Sequence, residues 1–152
     1  MTTTTLNRSG ASAGLSSSGF DVGRVLWAAP LTGAIAAIGN VLVYVLAGAV
    51  GLELGLAPEP GATIAPLPIG PVIGASIVPA ILGGIVFALL TRFTRQGPRI
   101  FVGLAIAFTL VSMFPVATVP TDGTATRVVL ALMHVIAAAA ITLGLLRFTR
   151  RA

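Results

Sequence analysis

The chain has 152 residues, 56% of them hydrophobic and only 9% charged, with a mean hydropathy of +1.04. Ordinary soluble domains are about 25% charged, so this stock of residues cannot build a water-facing surface, and the bilayer is the natural solvent. The formal charge of +5 comes from nine arginines and no lysine. They sit at the ends of apolar segments rather than along one polar face. That placement argues against nucleic acid as a partner and for anionic lipid headgroups, at about 1 kcal/mol per contact. The absence of cysteine removes disulfides, thiolate nucleophiles and cysteine-ligated metals.

Residues 1–20 are rich in Ser, Thr and Gly and have little to bury, so a disordered tail is expected. Asn7-Arg8-Ser9 matches a glycosylation sequon, a chance match on a tail predicted to be cytoplasmic. The first apolar segment is 25–47. Ala47-Gly48-Ala49 resembles a signal-peptide cleavage site, but the apolar run is longer than a signal core, so an uncleaved span is expected. Trp27 and Tyr44 fall near its two interfaces, where amphipathic rings prefer to lie. The next stretch, 48–69, holds prolines 58, 60, 66 and 68, with Pro71 just beyond, which forbid continuous helix. An extended, polyproline-like outer loop is expected, lying on the membrane surface or packed over the mouth of the bundle.

Three more apolar segments follow at 70–91, 100–119 and 128–146, each near the ~20 residues that cross a bilayer as a helix. Gln96-Gly97-Pro98 makes an inner turn and Asp122-Gly123 marks an outer one. Arg-Phe-Thr-Arg occurs at 92–95 and again at 147–150. This is either a relic of hairpin duplication or, more simply, an interfacial anchor that arose twice. Gly70-x-x-x-Gly74, Ala80-x-x-x-Gly84, Gly33-x-x-x-Ala37 and the alanines 137–140 permit close helix approach.

The arginines set the orientation. Arg8, Arg24, Arg92, Arg95, Arg99, Arg147, Arg150 and Arg151 share one side of a chain that crosses four times, and Arg127 alone is on the other side with Glu53, Glu59 and Asp122. The positive-inside rule then places both termini in the cytoplasm. The expected fold is an all-α membrane protein: a four-helix transmembrane bundle with both termini cytoplasmic.

Polar residues inside spans cost free energy unless they are partnered. They are Asn40, Ser76, Thr109, Ser112, His134 and Thr142. At about 1.5 Å per residue, Asn40, Ser112 and His134 fall in one layer of the outer half. Pro79 and Pro115 lie at similar depth and release carbonyls that these side chains or water could satisfy. One reading is a small polar cavity, with Arg127 seven residues before His134 on the same helix face, placed to guide an anion. The simpler reading is that Asn40 and His134 bond neighbouring helices and Arg127 anchors the helix end. A lone histidine, with no cysteine and no carboxylate inside a span, offers no catalytic triad, metal set or cofactor motif, so no enzyme activity and no cofactor are expected.

The stretches RFTRQGPRIF (92–101), LVSMFP (110–115) and LALMHVIAAAAI (130–141) resemble a family of small, four-span bacterial membrane proteins of unknown function, frequent in actinobacteria. Pro98, Phe101, Ser112, Pro115 and His134 match its recurring pattern. The resemblance implies the four-span architecture and no activity. Two functions stay open: an interaction or scaffolding subunit, as a homo-oligomer or with another membrane protein, or a small-solute or proton-linked transporter or channel whose cavity involves His134, Asn40 and Ser112. Tyr44 and Arg127 are candidates near its outer mouth.

Overall fold

The computed structural model describes residues 19–57, 59 and 61–151. The expected tail up to residue 18, with Asn7 and Arg8, lies outside the described residues, as do Pro58 and Pro60. Four helices, each long and apolar enough to cross a membrane, make up the fold: α1 (Val25–Ala49), α2 (Ile69–Phe93), α3 (Gly97–Thr118) and α4 (Thr124–Phe148). The three 25-residue helices measure about 37 Å, longer than the ~30 Å hydrocarbon core, so their ends reach the headgroup level. α1, α2 and α3 run on through Pro30, Pro79 and Pro115 respectively.

Residues 19 and 20 belong to the fold and not to a tail. Asp21 N–H donates to the Thr149 carbonyl at 2.8 Å, Arg151 N–H donates to the Gly19 carbonyl at 2.9 Å, and Phe20 bridges to Arg150. A single 3-10 turn, Val22–Arg24, then leads into α1. The Asp21 carboxylate accepts the Gly23 N–H at 2.9 Å, and Arg24 donates to the Arg150 carbonyl at 2.9 Å. The start of α1 and the end of α4 are therefore joined on one side of the bundle. Phe20 belongs here because its ring lies edge-on to the fully buried Phe87, centroids 5.6 Å apart. Phe87 in turn meets Phe101 at 5.1 Å.

Small residues set the tight contacts. In lipid, helices gain little from the hydrophobic effect and associate through close van der Waals fit. A Cβ on Gly33 would lie 3.0 Å from Ala80 Cβ, and one on Gly84 only 2.5 Å from Ala29 Cβ. One on Gly144 would overlap the Thr32 methyl. α1 thus lies in the middle, packed against α2 through the Gly33 and Ala80–Gly84 positions and against α4 through Thr32. Gly70 and Gly74 do not take part, since a Cβ on either would meet no atom within 4 Å.

α3 is held differently. Its buried residues are Gly97 and Phe101 at one end and Val116 at the other. Gly97 packs so closely on the end of α2 that a Cβ would be 2.6 Å from the Leu90 carbonyl oxygen. Between these fixed ends the helix stands off from its neighbours.

The 50–68 segment departs from the polyproline-like expectation. Gly55–Leu56 (β1) and Ala65–Pro66 (β2) pair antiparallel, with Gly55 opposite Pro66 and Leu56 opposite Ala65. The pair is then tied to the α3–α4 turn. Ala57 N–H donates to the Pro120 carbonyl at 3.0 Å, and Asp122 N–H donates to the Gly55 carbonyl at 3.3 Å. The Asp122 carboxylate accepts from Gly55 N–H at 3.2 Å and from the Thr126 hydroxyl. Beneath this cap Leu54 joins Ala47, Val72 and Met133 in a buried apolar cluster. The segment covers the end of the bundle opposite the Phe20–Arg150 junction.

Candidate functional site

Because α3 is fixed at its ends and stands off in the middle, a cavity of about 650 Å³ remains between α2, α3 and α4, with Asn40 of α1 at its back. On α2 it is lined from Pro71 to Val86, about 22 Å of helix. The facing positions explain the volume: Ala75 and Gly83 on α2, Ala105 on α3, and Ala137 and Ala138 on α4 are too small to fill it. Leu82, Val86, Leu104, Phe108 and Ile141 give the remaining wall a hydrocarbon character.

Polar groups form a belt across the half of this cavity nearer the β1–β2 cap. Asn40 is 4% exposed, and its Nδ2 donates to Ser76 Oγ at 3.0 Å. Ser76, wholly buried, donates onward to the Val72 carbonyl at 2.9 Å. Asn40 Oδ1 is left as the one buried side-chain polar atom without a partner among the described residues. The half-buried His134 places Nδ1 2.8 Å from the Leu130 carbonyl. A carbonyl only accepts, so Nδ1 carries the hydrogen and Nε2 is the ring's free acceptor. Thr109 donates to the Ala105 carbonyl and Ser112 to the Thr109 carbonyl, both at 2.7 Å. The carbonyls released by Pro79 and Pro115, those of Ala75 and Val111, receive none of these bonds.

The cavity brings together Asn40, Ser112, His134 and Pro79. Tyr44, Arg127 and Pro115 do not border it. The Tyr44 hydroxyl donates to the Leu67 carbonyl at 3.0 Å and so fastens the β1–β2 cap. Arg127 is exposed, and its guanidinium makes no hydrogen bond or ion pair among the described residues. Asn40 does bond a neighbouring helix, whereas His134 bonds its own. Ser76 is the partner that reading the sequence did not single out. Depth offered a signal: Ser76 is seven residues into α2 and Asn40 nine from the end of α1, within about 3 Å of one level. Among the described residues no group of His, Asp and Glu could hold a metal ion.

Fold and cavity together define a multi-pass membrane protein, a four-helix bundle with a half-open apolar cavity along α2, α3 and α4. The chain belongs to the family of unknown function DUF6069, whose model matches residues 20–151. No curated protein and no solved structure matches it.

Proposed function

We propose that this protein binds a lipophilic small molecule inside its bundle, at the level of the bilayer. The observation that carries the reading is the cavity: about 650 Å³, within the ~300–1,000 Å³ of small-molecule sites and lined like them, mostly apolar with a few convergent polar groups. A pathway for hydrated solutes or ions needs polar walls along its length, and Leu82, Val86, Leu104 and Phe108 do not supply them. If the protein transports, its substrate is a molecule that enters from the lipid. Binding, and no chemical conversion, is the proposed activity. Charge distribution supports a bacterial inner membrane location with both termini cytoplasmic and the inner arginines on anionic headgroups.

The test is saturable binding of an environment-sensitive lipophilic dye such as Nile red to the purified protein in nanodiscs. Wild type should show a saturable emission rise above lipid-only discs, and Ala105→Phe, which places a ring in the cavity, should abolish it while the helical circular dichroism is kept. Linear, unsaturable partitioning indistinguishable from lipid alone refutes the reading. A second reading, an interaction or scaffolding subunit, draws on α3, whose outward residues Ile106, Leu110, Val111 and Phe114 are all exposed. Crosslinking from those positions to another membrane protein, or to a second copy, in native membranes would favour it.

A further inference from the structure

The polar belt of the cavity has spent nearly all its donors. The hydroxyl hydrogens of Thr109 and Ser112 are committed to carbonyls of their own helix, and so is the Nδ1 hydrogen of His134. Ser76, behind Asn40, is committed in the same way. What remains at this level is acceptor capacity: the lone pairs of the Thr109 and Ser112 hydroxyls and, in the neutral imidazole, His134 Nε2; Asn40 Oδ1 has no partner but is closed off from the cavity surface. The second amide hydrogen of Asn40 is the belt's remaining donor. Thr142, about 12 Å further in, is the one other polar side chain on the wall, and its hydroxyl makes no hydrogen bond among the described residues.

We infer that the belt selects lipophiles that carry a hydrogen-bond donor, an alcohol or a phenol, over molecules of the same shape that carry only acceptors. The inference rests on the binding reading above and names the chemistry of its ligand. A donor entering the belt meets acceptors from α3 and α4. An ether or ketone oxygen there would face oxygen and nitrogen lone pairs and would lose whatever hydrogen bond it made at the interface. Apolar surface cannot provide this discrimination, since the two molecules bury nearly the same hydrocarbon.

The experiment is displacement of the bound dye from nanodiscs by octylphenol and by its methyl ether, with concentrations compared as mole fractions in the lipid so that partitioning cancels. Octylphenol should displace at a roughly two- to ten-fold lower mole fraction, the range of one net hydrogen bond. His134→Phe and Ser112→Ala each remove an acceptor from the wall, so each should narrow the ratio between the phenol and ether concentrations needed. Both residues are only partly buried, so either variant gives the answer if the other does not fold. Equal displacement by phenol and ether, or a preference for the ether, overturns the inference and leaves the binding reading standing. Dye that binds but yields to neither compound also overturns it. Absence of saturable dye binding removes both.

Discussion

The same chemical change made twice on one helix tests how the bundle is held together. In Gly84→Ala the new Cβ would sit 2.5 Å from Ala29 Cβ and 3.3 Å from Val25 Cγ1. Ordinary carbon contacts are at about 3.5–4.0 Å, so α1 and α2 must part by about an ångström, and neither a methyl nor a helix backbone can bend aside. Overpacking of this kind costs about 1–3 kcal/mol. In Gly74→Ala the Cβ meets nothing within 4 Å, and the gain in helix propensity is up to about 1 kcal/mol. The two variants should therefore differ by about 2 kcal/mol or more. Unfolding in mixed SDS micelles, followed through the single tryptophan, Trp27, or by circular dichroism, would measure the gap. Ala29→Gly added to Gly84→Ala removes the opposing methyl and should recover most of the loss, a coupling that a double-mutant cycle isolates. Equal unfolding midpoints for the two single variants would refute the close α1–α2 contact as the source of stability.

Phe87→Ala removes a fully buried ring that touches both Phe20 and Phe101. In water such losses reach ~3–5 kcal/mol; with lipid as the alternative solvent only the packing part remains, and a loss of about 2 kcal/mol in the same assay is expected. Asp122→Ala takes away the acceptor for Gly55 N–H and Thr126, so protease should cut the 55–66 segment faster while the helical signal is kept; unchanged cleavage would mean the cap is held by its apolar contacts alone. Orientation can be read by cysteine labelling because the chain has none. Membrane-impermeant maleimide added to intact cells should modify Glu59→Cys and spare Gln96→Cys, both exposed positions, and the reverse pattern would invert the topology. Position 97 is unsuited to the purpose, since any Cβ there meets the Leu90 carbonyl.

The spans were legible because their signal is one-dimensional: apolar length and flanking arginine need no knowledge of partners. Depth alone also sets Asn40, Ser112 and His134 near one level, and all three line the cavity. Azimuth was not legible. Rise per residue places Arg127 above His134 but does not say whether that face meets a cavity, and the arginine proves exposed and off its wall. The two Arg-Phe-Thr-Arg copies make the same point. Phe148 lies 5.9 Å from Trp27 while Phe93 is 79% exposed, so identical letters have unlike surroundings, and position in the fold decides what each copy meets. The proline-rich segment hid its strand pair because two-residue strands carry no periodicity, and their partner is a turn more than fifty residues away. Gly70-x-x-x-Gly74 and Ala80-x-x-x-Gly84 are equivalent as patterns, and only the second lies where another helix approaches.

A chamber in a membrane protein differs from one in a soluble core. In water, an apolar ligand gains free energy by leaving solvent. In lipid it leaves one hydrocarbon for another, so burial confers little affinity and acyl chains compete for the same space. Discrimination then falls to shape and to the few groups that lipid tails cannot satisfy. Here the fixed ends of α3, at Gly97–Phe101 and at Val116, keep the cavity from closing, and the acceptors on its wall belong to Thr109, Ser112 and His134. A tail of saturated hydrocarbon leaves those acceptors idle, whereas a ligand with a hydroxyl engages one of them and gains about 0.5–1.5 kcal/mol, a net hydrogen bond. A bound donor should therefore stabilise the bundle more than an acyl chain does, linking the protein's stability to what fills its cavity.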